Sequence, residues 1–88
     1  MFEIKVNSAF FLSNINTVAI EGDVIVEGDL KKGAILIDKN DSNKIYKTKG
    51  IYFVDGPSVV ISMKKLNLQL EPGDYKAEDL IGKTLISK

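Results

Sequence analysis

Residues 18–33, VAIEGDVIVEGDLKKG, decide the fold class of this chain. Short apolar runs alternate here with glycine-containing turns, and helical periodicity is nearly absent. We expect the first run to break at Gly22 and the second to end in a turn at Gly33, because glycine adopts turn conformations at low steric cost. Gly28 interrupts the second run and indicates a bulge or a point of close backbone approach. The stretch therefore predicts short β-strands.

Alternation of apolar and polar residues predicts strands elsewhere as well. At the N-terminus Phe2, Ile4 and Val6 alternate with polar residues, which is typical of a half-buried strand. Six consecutive polar residues at 38–43 predict a hairpin loop. From that loop to Val54 the chain is rich in aromatic and β-branched residues, and these residue types favour a further strand.

Two late segments carry the remaining structural signals. Residues 59–63 alternate on the opposite parity to residues 66–70, which predicts a bulge or tight turn at 64–65 because a strand cannot change face without an irregularity. Residues 75–81 are the one helical candidate, with Asp74 as N-cap. It would be about two turns long at most.

These signals together predict an all-β protein. We expect a small closed antiparallel β-barrel of about seven to eight strands, with one short helical turn near the C-terminus and residues 1–88 forming a single domain. Closure of the barrel would also cover the edges that so many short strands otherwise expose.

The composition excludes most kinds of active site. The 88 residues include 12 lysines and 12 acidic residues but no cysteine, histidine, arginine or tryptophan. Thiolate or imidazole zinc sites, disulfides and Ser-His or Cys-His nucleophile pairs are therefore ruled out. The net charge of zero predicts no strong field for nucleic acid or anionic membranes. We expect no enzyme and no cofactor.

The termini and the apolar runs bear on location. The first twenty residues lack a basic segment ahead of a sustained apolar core, so they do not predict a signal peptide. No apolar run approaches the ~18 residues of a membrane-spanning helix. We therefore expect a cytoplasmic protein with no membrane partner.

Carboxylates are the remaining residues that could suggest a metal site. The acidic residues between 21 and 29 lie at odd positions while Val24, Val26 and Leu30 lie at even ones, so we interpret them as a solvated strand face. Residues 38–42 are similar to the start of a calcium loop. However, Asn43 replaces the turn glycine and Lys49 the bidentate glutamate of such a loop, so we expect no metal.

The order of these segments resembles a known family. An apolar strand, a glycine turn, a hydrophobic strand ending in glycine and a short segment before another glycine are similar to the signature of the second domain of elongation factor Tu-like translational GTPases. Three later segments resemble that domain in the same order. The four segments are residues 18–33, 50–53, 66–70 and 79–85, and together they span roughly residues 10–86.

The resemblance implies a binding domain without catalysis. The chain contains no G-x-x-x-x-G-K-[ST] segment to hold nucleotide phosphates, so it would correspond to the accessory barrel alone. In that family the barrel packs on the nucleotide domain and helps contact tRNA or the ribosome. The implied partners are therefore RNA or a ribosome- or translation-associated protein.

Lysines supply the candidate RNA-binding residues. Residues 39–65 contain six lysines and two acids, a local balance of +4 (six minus two), with three aromatic residues among them. Lysines neutralise phosphates and exposed aromatic rings stack on bases in single-strand binders. The candidates are Lys44, Lys47, Lys49, Lys64 and Lys65. Alternatively, the lysines are solvent-side strand residues or edge protection, and the tyrosines belong to the core.

Two other functions stay open at this point. A protein-interaction or self-assembly module unrelated to translation would be favoured by an uncovered strand or by an exposed patch at Phe10 and Phe11. A small enzyme would need a deep pocket with convergent carboxylates. The sequence leaves the oligomeric state open.

Overall fold

The computed structural model describes residues 2–31, 33–51, 58–61 and 65–87. Within these residues lie eight β-strands and one short 3₁₀ helix. The elements are β1 (Glu3–Leu12), β2 (Thr17–Val26), β3 (Gly28–Lys31), β4 (Ile35–Asp38), β5 (Asp41–Ile51), β6 (Ser58–Ile61), β7 (Lys65–Leu70), the 3₁₀ helix (Ala77–Leu80) and β8 (Thr84–Ser87). None of the described segments forms a helix of the length and apolarity that a bilayer crossing requires.

Six strands form one ring-like antiparallel sheet. Their order is β1-β2-β7-β5-β4-β8, and β8 returns to β1. The strands β3 and β6 pair with each other in a separate two-stranded sheet. The prediction of an antiparallel all-β protein is confirmed. The ring has six strands, however, and not the seven or eight expected for one barrel.

The change of parity between residues 59–63 and 66–70 corresponds to a change of sheet, so one of the predicted barrel strands, β6, lies outside the six-stranded ring. Residues 59–61 belong to β6, which pairs with β3, whereas residues 66–70 belong to β7, which lies between β2 and β5. The two alternations therefore face different sheets, and no strand has to change face within one ladder. Of the predicted irregularity at 64–65, Lys65 begins β7 and Lys64 lies outside the described residues.

The interior of the ring is filled by apolar side chains. Inward-facing residues of β1, β2, β4, β7 and β8 are almost fully buried, as alternation along each strand requires. Burial of each large side chain contributes roughly 1.5–3 kcal/mol. The 3₁₀ helix adds Ala77 and Leu80 to this core, and β3 adds Leu30. The core residues are Phe2, Ile4, Val6, Ala9, Val18, Ile20, Leu30, Leu36, Tyr46, Leu66, Leu68, Leu70, Ala77, Leu80 and Leu85.

Gly22 lies inside β2, so the expected break of the first run at this position is wrong. The residue is buried opposite Val6, and a Cβ atom here would overlap the carbonyl oxygen of Lys5 and approach Ile4 Cγ1 to 2.9 Å. Glycine is therefore required for close approach of two backbones. The β1 ladder shifts register immediately after this pair, so that Asn7 is an additional residue in β1.

Two further expectations were wrong in detail. The predicted six-residue loop at 38–43 is a two-residue turn, in which the Asn40 N–H donates to Asp38 Oδ1 at 2.9 Å. The helical candidate is only the 3₁₀ helix, and its N-cap is Lys76 in place of Asp74. The Tyr75 hydroxyl donates to the Glu71 carbonyl at 2.6 Å. This hydrogen bond bridges the segment in which the helix was expected to begin.

We expect Gly22→Ala to destabilise the protein by roughly 3 kcal/mol, because the obstructing atom belongs to the β1 backbone and cannot rotate away. Urea denaturation followed by circular dichroism measures the loss. The matched control is Gly73→Ala, since a Cβ at this exposed position meets only the Tyr75 ring, at 3.3 Å. Equal stabilities of the two variants would contradict the close-approach role.

Candidate functional site

The structure does not bring the predicted RNA-binding lysines together. Lys44, Lys47 and Lys49 lie on β5, Lys65 begins β7, and Lys64 lies outside the described residues. In the antiparallel β5–β7 ladder Thr48 pairs with Leu70. Measured from this pair along the ladder, Lys44 and Lys65 therefore lie in opposite directions. Nine residues separate them along the strands, which corresponds to ~30 Å of extended chain.

Acidic neighbours offset two of these lysines. The Lys47 ammonium lies 3.8 Å from a Glu71 carboxylate oxygen, and both side chains are about half exposed. Lys65 lies directly opposite Asp23 in the β2–β7 ladder. An exposed ion pair contributes little stability, but it lowers the positive field that a phosphate would meet.

Lys49 has a defined structural partner. Its ammonium donates to the Thr17 hydroxyl at 2.8 Å, to the Ile15 carbonyl at 3.1 Å and to the Asn16 carbonyl at 3.4 Å. These acceptors belong to the turn between β1 and β2. Lys49 therefore fastens this turn to β5, a role that nothing in the sequence pattern indicated.

The turn itself has a regular set of hydrogen bonds. It comprises residues 13–16, and the Ile15 N–H donates to the Leu12 carbonyl at 3.3 Å. Asn16 adopts a φ of 49°, which asparagine tolerates better than most residues. The Thr17 hydroxyl donates to the Ile15 carbonyl at 2.9 Å. We call residues 10–17 the hairpin tip.

The hairpin tip exposes three large apolar side chains. Phe10 is 63% exposed, Phe11 52% and Ile15 48%. Phe10 and Phe11 are neighbours in a strand and therefore point to opposite sides of it. The exposed pair considered from the sequence is thus present, but it contributes to two surfaces and not to one patch.

Each phenylalanine lines its own groove. The outer groove, on the outside of β1, β2 and β7, is a recess of about 270 Å³ lined by Phe10, Leu12 and Ala19, with Asn67 and Gln69 at its polar side. The end groove, of about 350 Å³, is lined by Phe11, Pro72, Gly73, Tyr75 and Ala77, with Lys76 and Glu78 also at its wall. Both grooves meet at the hairpin tip.

A third recess, the polar cleft, is lined by several titratable side chains that acid–base chemistry would require. It is about 400 Å³ and is lined by residues 43–46 with Asp74, Tyr75, Asp79 and Lys83. Tyr46 and Tyr75 pack edge to face there, with ring centroids 4.9 Å apart. In the part of the chain that the structure describes, no three carboxylates come close enough to hold a metal ion.

The pKa shifts of Tyr46, Tyr75 and Lys83 in the polar cleft hold these three groups in their ordinary protonation states at neutral pH. Burial raises the pKa of Tyr75 to about 12 and also raises the pKa of Tyr46. The hydrogen bond to Asp38 raises the pKa of Lys83 against the opposing effect of desolvation. General acid–base catalysis favours groups that titrate near the working pH. These shifts move the groups away from it.

Asp38 and Lys83 form the most buried ion pair among the described residues. Their atoms Oδ2 and Nζ are 2.9 Å apart, and the Asp38 side chain is only 4% exposed. Burial alone would raise the pKa of Asp38. The hydrogen bonds from Lys83 and from the Asn40 N–H, with the positive charges of Lys83 and Lys44, outweigh burial and hold this pKa below its ordinary value.

Comparison of the chain with protein-family models, with curated proteins and with solved structures finds no match.

We expect Lys49→Met to loosen the hairpin tip. Loss of the three hydrogen bonds should cost about 1 kcal/mol locally, which corresponds to about fivefold faster hydrogen exchange at the Ile15 and Asn16 amides. Exchange measured by NMR tests this result. Lys47→Met is the control, because Lys47 is exposed on the same strand and its ammonium pairs with Glu71 at a distance from the turn. Equal exchange in both variants would show that Lys49 does not hold the turn.

Asp38 should make the fold sensitive to acid. Because its pKa is lower in the folded chain than in the unfolded one, its contribution is complete above the unfolded pKa of about 4 and is lost as pH falls through the lower folded value. Asp38→Asn should therefore be less stable at pH 7 and lose less of its unfolding free energy below about pH 4.

Urea denaturation at a series of pH values measures this dependence. Asp74→Asn, at an exposed position, is the control and should keep the wild-type decline. An Asp38→Asn variant with the same decline as the wild type would contradict the assignment.

Proposed function

We propose that this chain is a non-catalytic binding module that recognises a protein partner through the hairpin tip. The observation that carries the proposal is the exposure of Phe10 and Phe11 at the end of β1 and of Ile15 on the adjoining turn, which Lys49 holds in place. This corresponds to the sequence-based alternative of a protein-interaction module. The favouring sign there was an exposed patch at Phe10 and Phe11, and the two rings are exposed but on two surfaces.

The physical basis is that a preorganised apolar surface loses little conformational entropy when it binds. Aromatic side chains dominate the binding energy of protein interfaces because they bury much area at low cost in conformational entropy. A turn that is already fixed loses little further entropy when a partner binds. The hairpin tip combines both properties.

The family resemblance supports a more specific form of the proposal. A divergent relative of the second domain of translational GTPases would use its ring-like sheet as a closed barrel that binds and positions without catalysis, in the cytoplasm. Its partner would be a ribosome- or translation-associated protein. Lys47 is paired with Glu71, Lys49 is bonded to the turn, and Lys65 lies on another strand, so few candidate lysines are left to meet phosphates together; this favours protein over RNA as the partner.

Affinity capture tests the proposal. The immobilised chain is exposed to a lysate of cells that produce it, with and without ribonuclease, and bound proteins are quantified by mass spectrometry. We expect a specific protein to be retained after ribonuclease treatment and to fall at least tenfold with the double variant Phe10→Ser, Phe11→Ser.

The control is the double variant Ile25→Ser, Ile81→Ser, because these isoleucines are about equally exposed but lie outside the hairpin tip. It should capture the partner as the wild type does. Capture that disappears with ribonuclease would favour RNA as the ligand, and capture that is indifferent to both phenylalanines would contradict the proposed surface.

A further inference from the structure

Half of β1 lies outside the closure of the ring. The strand β8 pairs with β1 from Glu3 to Lys5, and the last bonds on this side are Val6 N–H to the Lys83 carbonyl and Gly82 N–H to the Val6 carbonyl, at 2.8 and 2.9 Å. Residues 8–12 continue the pairing with β2 alone. The additional residue Asn7 marks the change between the two halves.

The second half of β1 is therefore an edge strand. Within the described ranges, the one further backbone bond to residues 8–12 is that from Ile15 to Leu12 inside the turn. On the side away from β2, alternate residues of an edge strand present N–H and C=O groups with no strand partner. Such a row of groups accepts another extended chain.

The two grooves lie on the two sides of this edge strand. Phe10 lines the outer groove and Phe11 the end groove, and the two side chains point in opposite directions. A strand added beside residues 8–12 would also direct its side chains alternately to the two sides. The edge and the grooves together match an extended chain better than a helix, which presents one face.

We propose that the partner contributes an extended polypeptide segment, which adds to the open edge of β1 at residues 8–12 and places aliphatic side chains alternately along the outer and end grooves. This rests on the proposed function and adds the mode of binding. Five paired residues cover roughly 17 Å of strand. The main-chain bonds supply affinity, and the grooves select the side chains.

The lining of the grooves specifies the chemistry of the segment. Each groove already has a phenylalanine as one wall, so the remaining space suits aliphatic side chains. In the outer groove the polar neighbours are Ser8, Asn67 and Gln69, and Glu21 is the charged residue among the described lining residues. In the end groove Lys76 and Glu78 balance each other. A segment without charges at the alternating positions fits both.

Random dodecapeptides displayed on phage are the probe for this proposal. Peptides are selected on the wild-type chain, and their affinity is measured by fluorescence polarisation. We expect aliphatic residues at every second position and binding at least tenfold weaker to Phe10→Ser or Phe11→Ser. Ile25→Ser and Ile81→Ser, at exposed positions elsewhere, should bind within twofold of the wild type.

Backbone N-methylation of a selected peptide tests the main-chain bonds themselves. Methyl groups on one set of alternate amides should abolish binding, because these amides donate to β1, whereas methyl groups on the other set should leave it within about threefold. The amides of residues 8–12 that face away from β2 should gain protection from hydrogen exchange when the unmodified peptide binds.

The outcomes separate this proposal from the proposed function. Selected peptides that depend on Phe10 and Phe11 but show helical spacing, or equal effects of both methylation patterns, would overturn strand addition and leave recognition by the hairpin tip intact. Peptides that bind independently of both phenylalanines would overturn both. A wild-type chain that dimerises through residues 8–12 would show that a second copy occupies the edge.

Discussion

The close approach of β1 and β2 at Gly22 is the constraint on which the rest of the structure depends. Because this residue has no Cβ, the Lys5 carbonyl can lie against it, and Asn7 then becomes an additional residue in β1. Before the irregularity the even-numbered residues of β1 face the interior, and after it Ala9 does. The same irregularity directs Phe10 outward and Phe11 toward the end groove. The packing of the core and the orientation of the two exposed phenylalanines thus have one origin.

The two halves of β1 have different surroundings: the first half belongs to the ring, and the second half leads into the hairpin tip. The first half of β1 closes the ring against β8, so its main-chain groups are paired within the fold. The second half extends beyond that closure and keeps one edge free among the described residues. A sheet normally protects an edge with charge or a bulge. Here the irregularity at Asn7 precedes the edge, and exposed phenylalanines accompany it, which is the feature on which the proposed interface rests.

Local patterns in the sequence predicted the strand-rich fold. The roles of residues that depend on long-range contacts, such as Gly22 and Lys49, could not be predicted in this way. Phe2, Ile4 and Val6 alternate and are buried as expected, because alternation reports directly on a half-buried strand. Gly22 was misassigned to a turn, since a glycine in a turn and a glycine at a close contact have the same local sequence signature. The role of Lys49 was missed for a similar reason: its acceptors lie 32 to 34 residues away in the chain.

That separation would link the proposed recognition to the completion of folding. A hairpin forms from local contacts. The bonds from Lys49 to its turn can form only when β5 has docked in the ring, and that docking closes a long loop. In an incompletely folded chain the turn that follows Phe10 and Phe11 would lack the bonds from Lys49. If the hairpin tip binds a partner as proposed, the complete surface is present only in the finished fold, and a nascent or partly unfolded copy would compete poorly for that partner.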